Sequence, residues 1–141
     1  MRTISVPLIL VNIQDNGFHI LVEIVVFGEK QFAVVDTGAS RSVFDKGLVK
    51  KHIEHLQENK EQQTATIFSS STTLAGTIPL LQIGKLKLPN YETVAIDLQS
   101  VSDTYIRMGQ PAIAGIIGGD ILMQFNCKID YQKRVLRFYK D

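Results

Sequence analysis

Phe32-Ala33-Val34-Val35-Asp36-Thr37-Gly38-Ala39-Ser40 decides how this chain is read. Four residues suited to a buried strand run straight into a carboxylate, and core strands avoid Asp unless something compensates. Thr37 carries a hydroxyl for hydrogen bonding, and Gly38 permits a turn or a close backbone approach. A carboxylate held at the end of a strand, with small neighbours on one side, is placed to activate water. The plainer reading of the same residues is an Asx-turn that closes a strand.

Upstream of Asp36 the chain reads as a β-meander. Residues 4–13 and 18–27 are rich in Val, Ile, Leu and Phe. Asp15-Asn16-Gly17 between them predicts a hairpin turn, and Gly28-Glu29-Lys30 turns the chain into residues 31–35. Downstream, Leu48, Val49, Ile53 and Leu56 recur at helical spacing behind Asp45, which predicts a helix over 46–56 with Asp45 as N-cap. Residues 64–68 and 74–83 read as the arms of a hairpin around a polar tip at 69–73. Gly84-Lys85 then turns into 86–88, and 91–98 is a further strand. Residues 99–110 read as a loop with at most a short helical turn. Residues 113–117 form an apolar strand, Asp120 caps a short helix to Phe125, and 127–131 pairs with 135–139. The expectation is one mainly β domain over residues 1–141.

Composition narrows the function. A chain of 141 residues holds one domain with a real core and is too short for two ordinary ones. Hydrophobic content of 45% and charged content of 21% exclude wholesale disorder. The 15 Lys+Arg against 14 Asp+Glu leave a net charge of +1. Lys50-Lys51, Lys85 and Lys87 are too sparse for a phosphate-gripping stripe, so no nucleic-acid partner is expected. The apolar runs at 4–11 and 20–27 fall short of the ~18 residues of a helical span, so no membrane partner is expected either. The N-terminus lacks a leader-like cleavage site and reads as part of the fold.

Cysteine and histidine are the other candidates for chemistry. Cys127, the single cysteine, excludes an internal disulfide and a cysteine zinc cage and reads as a small buried hydrophobe. It suits a reducing, cytoplasmic compartment, with an exported form whose signal has been removed as the alternative. His52 and His55 stand three apart on the predicted helix. With no third ligand nearby and no H-E-x-x-H order, they read as a solvated helix face. His19 falls within a strand and has no evident partner.

Gly115-Ile116-Ile117-Gly118-Gly119-Asp120-Ile121-Leu122 is the second informative stretch. Glycines that open a helix also occur in phosphate loops, but neither G-x-G-x-x-G nor G-x-x-x-x-G-K-[ST] is present. Together with the Asp36 motif, the hairpin between them and the closing run Ile129-Asp130-Tyr131 with Val135-Leu136-Arg137-Phe138, it resembles the retropepsin-like aspartic proteases. The resemblance spans about residues 18–138. It implies a closed acid-protease β-barrel with one or two short helices and no metal or organic cofactor. Asp36 would be the catalytic carboxylate, Thr37 would hydrogen-bond across a two-fold axis, and Gly38 would offer its carbonyl to substrate. Substrate would lie against Gly38, Ala39, Ser40 and Ile117, beneath a flap over 64–83 that contacts it through Phe68 at the end of one arm and Ser69, Ser70 and Ser71 of the tip. The chain departs from the family in two places. The tip lacks the glycines of retroviral flaps, Gly76 being the hairpin's own, and Gly119 stands where retroviral members carry a dimer-supporting Arg.

The chemistry of this family needs two facing carboxylates. One, ionised, takes a proton from a shared water, while the other, protonated, donates to the scissile carbonyl. The chain has a single Asp-Thr-Gly, and no other Asp is followed by Thr-Gly or Ser-Gly. The second carboxylate must therefore come from another copy, in a symmetric homodimer. The expected activity is aspartic endopeptidase action on peptide or protein substrates. The alternative is a catalytically inactive peptide-binding or dimerisation module of the same fold.

Overall fold

A computed structural model describes residues 2–13, 17–54, 56–59 and 73–141. Along the chain come β1 (Arg2–Pro7), β2 (Ile9–Ile13), β3 (Gly17–Val26), β4 (Glu29–Val35), β5 (Val43–Asp45) and α1 (Lys46–His52). Then follow β6 (Gln57–Asn59), β7 (Thr73–Ile83), β8 (Leu86–Ile96) and α2 (Gln99–Arg107). The last elements are β9 (Gly115–Ile117), α3 (Gly119–Gln124), β10 (Lys128–Asp130) and β11 (Val135–Lys140).

The strands make two sheets. β1, β11 and β10 form a three-stranded sheet, and the other eight run in the order β2-β3-β4-β9-β5-β8-β7-β6. β3 also pairs with β7, Ile24 opposite Ile83 and Val26 opposite Leu81, so the strands from β3 round to β7 close into a ring. The mainly β class is as expected, with closure supplied by this ring. The described residues hold three helices where one or two were expected.

Local chemistry explains where boundaries differ from the sequence reading. The single strand expected over 4–13 is two strands in different sheets. Pro7 has no N–H to extend a ladder, and buried Leu8 donates its amide to the Arg134 carbonyl at 3.0 Å. α1 stops at His52, because Ile53 is extended (φ −121°, ψ 117°). Ile53 and Leu56 still reach the main core, from extended chain rather than helix. His52 stacks on Phe27 with ring centroids 4.4 Å apart, while His55 lies outside the described residues. β8 runs unbroken from 86 to 96, with Asn90 alone in the left-handed region at φ 51°.

α2 occupies what was read as a loop. Leu98, Val101 and Tyr105 recur at helical spacing and face inward. Buried Ser102 within it accepts the Ile113 amide at 2.9 Å. Asp45 does cap α1, its Oδ2 accepting from the Leu48 amide, and its Oδ1 also accepts from the Leu98 amide at 3.0 Å. One carboxylate thereby ties the start of α1 to the approach to α2.

Alternation along β4 distributes its side chains. Ala33 and Val35 enter the main core with Val22, Ile24, Phe44, Ile117 and Phe138. Phe32 and Val34 face the opposite side, toward a smaller cluster of Val11, Leu21, Tyr105 and Ile113. β4 is therefore covered on both faces, which holds the residue that follows it in a fixed place.

Candidate active site

β9 builds the site by threading between two strands in opposite senses. It runs parallel to β4, with Val35 opposite Ile117, and antiparallel to β5, with Val43 opposite Ile116. The ladder continues one residue past β4, where the Asp36 amide donates to the Ile117 carbonyl at 3.0 Å. The chain then turns tightly. Gly38 N–H donates to Asp36 Oδ1 at 2.8 Å, and the Ala39 amide donates to the Asp36 carbonyl at 3.1 Å. This is Asx-turn geometry, and it aims one carboxylate oxygen into the turn. The plain reading of the motif and the catalytic one thus share the same backbone.

The rest of the loop is tied to the opening of α3. Gly119 N–H donates to the Ala39 carbonyl at 2.8 Å and Asp120 N–H to the Ser40 carbonyl at 3.2 Å. Asp120 does not cap α3: the N-cap is Gly118, at φ −110° and ψ −169°. From the first turn of α3, Asp120 Oδ1 accepts from the Ile121 amide at 2.8 Å, from the Ser42 amide at 2.8 Å and from the Ser42 hydroxyl at 2.7 Å. The Ser42 hydroxyl in turn accepts from the Gly118 amide at 2.8 Å. A side chain at Gly118 would meet the Ala39 carbonyl oxygen at 2.7 Å and Arg41 backbone atoms at 2.9 Å. At Gly119 the nearest atom would lie at 3.5 Å, an ordinary contact. The first glycine is thus required by packing, and the second is not.

Charge and burial around this knot act on Tyr91. Its phenol is pushed up to about 12, by burial first and by the Asp120 charge second, against the Ser42 hydrogen bond and the Arg41 charge. Tyr105, which packs beneath the Asp36 side of β4, is also raised, by burial and then by the charge of Asp36. Burial raises Cys127 to about 11, so its thiol stays protonated at neutral pH.

The residues singled out in the sequence are distributed as follows. Asp36 is half-buried; Thr37, Gly38 and Ser40 are exposed. The Ala39 and Ile117 side chains are turned into the protein interior, at 1% and 0% exposure, and both offer backbone atoms to the loop. Phe68, Ser69, Ser70 and Ser71 lie outside the described residues. Of the expected hairpin, the return arm is described: 73–75 pair with 57–59 of β6, and Gly76 faces Thr93 of β8. His19 has a partner after all, the hydroxyl of Tyr105. Sequence reading missed that pair and the Ser42–Asp120 link. Tyr105 was detectable as one member of the Leu98, Val101, Tyr105 stripe. Nothing in the sequence pairs Ser42 with Asp120, since that contact spans the fold.

A half-buried Asp followed by exposed Thr-Gly is thus anchored to a strand that opens into a glycine-led helix. The aspartyl protease family model matches residues 22–121, and the chain belongs to that family. No curated protein matches it in sequence. Among solved structures it is similar to a retropepsin-like aspartic protease from Rickettsia conorii. The two are 20% identical with a TM-score of 0.58, covering 98% of this chain and 91% of that one. It is also similar to the retroviral protease-like domain of Ddi1 from Leishmania major, at 18% identity and a TM-score of 0.53, with 82% and 84% covered. At these identities the likeness is one of fold, and the fold is retropepsin-like.

Proposed function

We propose that the protein is an aspartic endopeptidase that acts as a symmetric homodimer, with the Asp36 carboxylates of two copies flanking one water. The observation that carries this reading is the pairing of an anchored Asp36 with an exposed Thr37-Gly38 in a chain with a single such motif. The Thr37 hydroxyl makes no hydrogen bond to any described residue. It is thus free to bond a second copy across the two-fold axis.

In the dimer, two carboxylates a few ångströms apart do not both ionise cheaply, so they share one proton. The ionised member takes a proton from the water as it attacks the scissile carbon. The protonated member donates to the carbonyl oxygen, which stabilises the charge that develops there. The Gly38 carbonyl holds the extended peptide in register. The hairpin expected over 64–83, of which 64–72 lie outside the described residues, would be the flap that covers the peptide and excludes water.

Incubation with a broad peptide library from acidic to neutral pH tests the reading, alongside solution mass. Wild type should be a dimer and cleave, with inhibition by pepstatin. Asp36→Asn should lower cleavage by about 10³-fold or more while the dimer persists. Full activity in Asp36→Asn, or cleavage by a strict monomer, overturns the assignment.

A further inference from the structure

Lys85 and Lys87 stand apart from other cations in the sequence, yet folding brings them two more from far along the chain. Arg2 opens β1, Lys140 closes β11, and the two are directly opposite in that ladder. Both lie on the face that carries Ile4 and Phe138, one step beyond the core. The Lys140 ammonium reaches the Lys87 carbonyl of β8 at 3.5 Å. The turn from β7 to β8 is held against β1: Gly84 is left-handed at φ 57°, and a side chain there would meet Val6 at 2.9 Å. Between these elements lies a groove of about 610 Å³, whose wall carries all four cations with Thr3 and Gln82.

These charges are gathered without compensation. Like charges directly opposite on paired strands repel, as Arg2 and Lys140 do here. The side chains of Arg2, Lys85 and Lys87 make no ion pair or hydrogen bond with a described residue, and Lys140 makes the single bond to Lys87. The ion pairs among the described residues, Lys30 with Glu23 and Arg137 with Asp130, use other cations. No Asp or Glu among the described residues lines the groove, in a chain whose net charge is only +1. A concave wall of one sign focuses its field on a ligand of the opposite sign.

The volume is that of a small-molecule site. The wall has no aromatic side chain on which a base could stack, so charge and hydrogen bonding must do the recognition. The Arg2 fork and three ammonium groups match linked phosphates, which hold several anionic oxygens within a few ångströms. We propose that this groove binds a small molecule through a chain of linked phosphates, a di- or triphosphate. The site is separate from Asp36: β3 faces Val35 at Ile20 and Ile83 at Ile24, about 13 Å further along the strand. It stands whether or not the protein is a protease.

Calorimetry with metal-free sodium triphosphate, at ionic strength matched by sodium chloride, tests the assignment. Wild type should bind triphosphate at least about tenfold more tightly than orthophosphate, and less tightly as salt rises. Adenosine triphosphate should bind within about threefold of inorganic triphosphate, since nothing in the groove holds the base. Lys85→Gln/Lys87→Gln should weaken triphosphate by about tenfold, while Lys50→Gln/Lys51→Gln, which removes the same charge from α1, should not. No binding of triphosphate at low salt overturns the proposal, as does an equal loss in the two double variants. Binding of the nucleotide without binding of inorganic triphosphate overturns the assignment to the phosphate chain. Without any ligand, Arg2→Gln should raise the melting temperature at low salt by relieving its repulsion with Lys140, and a fall would overturn the claim that these cations are uncompensated.

Discussion

Thr37 and Ser42 lie on one short loop and use the same functional group in opposite ways. The Ser42 hydroxyl, on a residue 2% exposed, gives its proton to Asp120 and accepts from the Gly118 amide. The Thr37 hydroxyl is exposed and meets no described partner. One end of the loop is satisfied within its own chain, and the other keeps its hydrogen-bonding capacity for another molecule. Rigidity at the Ser42 end is what allows Asp36 to sit still at the exposed end. Substitutions at the two ends should therefore register in different measurements.

The largest change in stability is expected from Gly118→Ala. The added methyl would overlap the Ala39 carbonyl and Arg41 backbone, neither of which can swing away, so unfolding free energy should drop by about 3 kcal/mol. Urea denaturation measures it, and a loss below about 1 kcal/mol would mean that the loop is softer than its contacts imply. Next comes Ser42→Ala, which strands the Gly118 amide and removes one donor to Asp120. A loss of about 2 kcal/mol is expected, with the dimer constant little changed once the protein is folded.

Thr37→Val reverses that pattern. Monomer stability should hold within about 0.5 kcal/mol, while the proposed dimer weakens by about tenfold, since a two-fold axis counts each lost bond twice. Sedimentation over a concentration series separates the two effects. A Thr37→Val dimer as tight as wild type would erase the contrast between the two ends of the loop.

The smallest effect concerns alkaline pH. The folded value for Tyr91, about 12, lies above its ordinary 10, so the folded state favours the neutral phenol. Stability from this residue is complete below pH 10 and is lost as pH rises from 10 through 12. Cys127, shifted from 9.0 to about 11, begins the same decline from pH 9. Tyr91→Phe should shrink the part above pH 10, where Cys127 and Tyr105 still contribute, and leave the part between pH 9 and 10 in place, as read from melting temperature against pH. An unchanged decline in Tyr91→Phe would show that Tyr91 is ionised as easily folded as unfolded.

Short-range chemistry in this chain was readable in advance. The meander of β2, β3 and β4 follows from β-branched runs separated by turn residues, and Asp45 caps α1 because capping is a matter of a few neighbouring atoms. Errors arose where a distant partner decides the outcome. Leu56 satisfies a helical period, yet it meets the core from extended chain leading into β6, which pairs with β7. Asp120 looks like a cap in the sequence, and its link to Ser42, 78 residues away along the chain, arises only when β5 pairs with β9. His19 seems alone until α2 brings Tyr105 over it. In the candidate site itself, Asp36, Thr37 and Gly38 could be named from the motif, while the groups that orient them could not.

The passage of β9 between β4 and β5 also bears on when Asp36 acquires its place during synthesis. The backbone grip on Asp36 comes from Ile117, so a ribosome must deliver the 81 residues beyond Asp36 before that carboxylate has a fixed seat. A nascent chain stalled ahead of residue 115 carries the acidic group without its anchor. Strand order thereby delays the seating of Asp36 until β9 has been made.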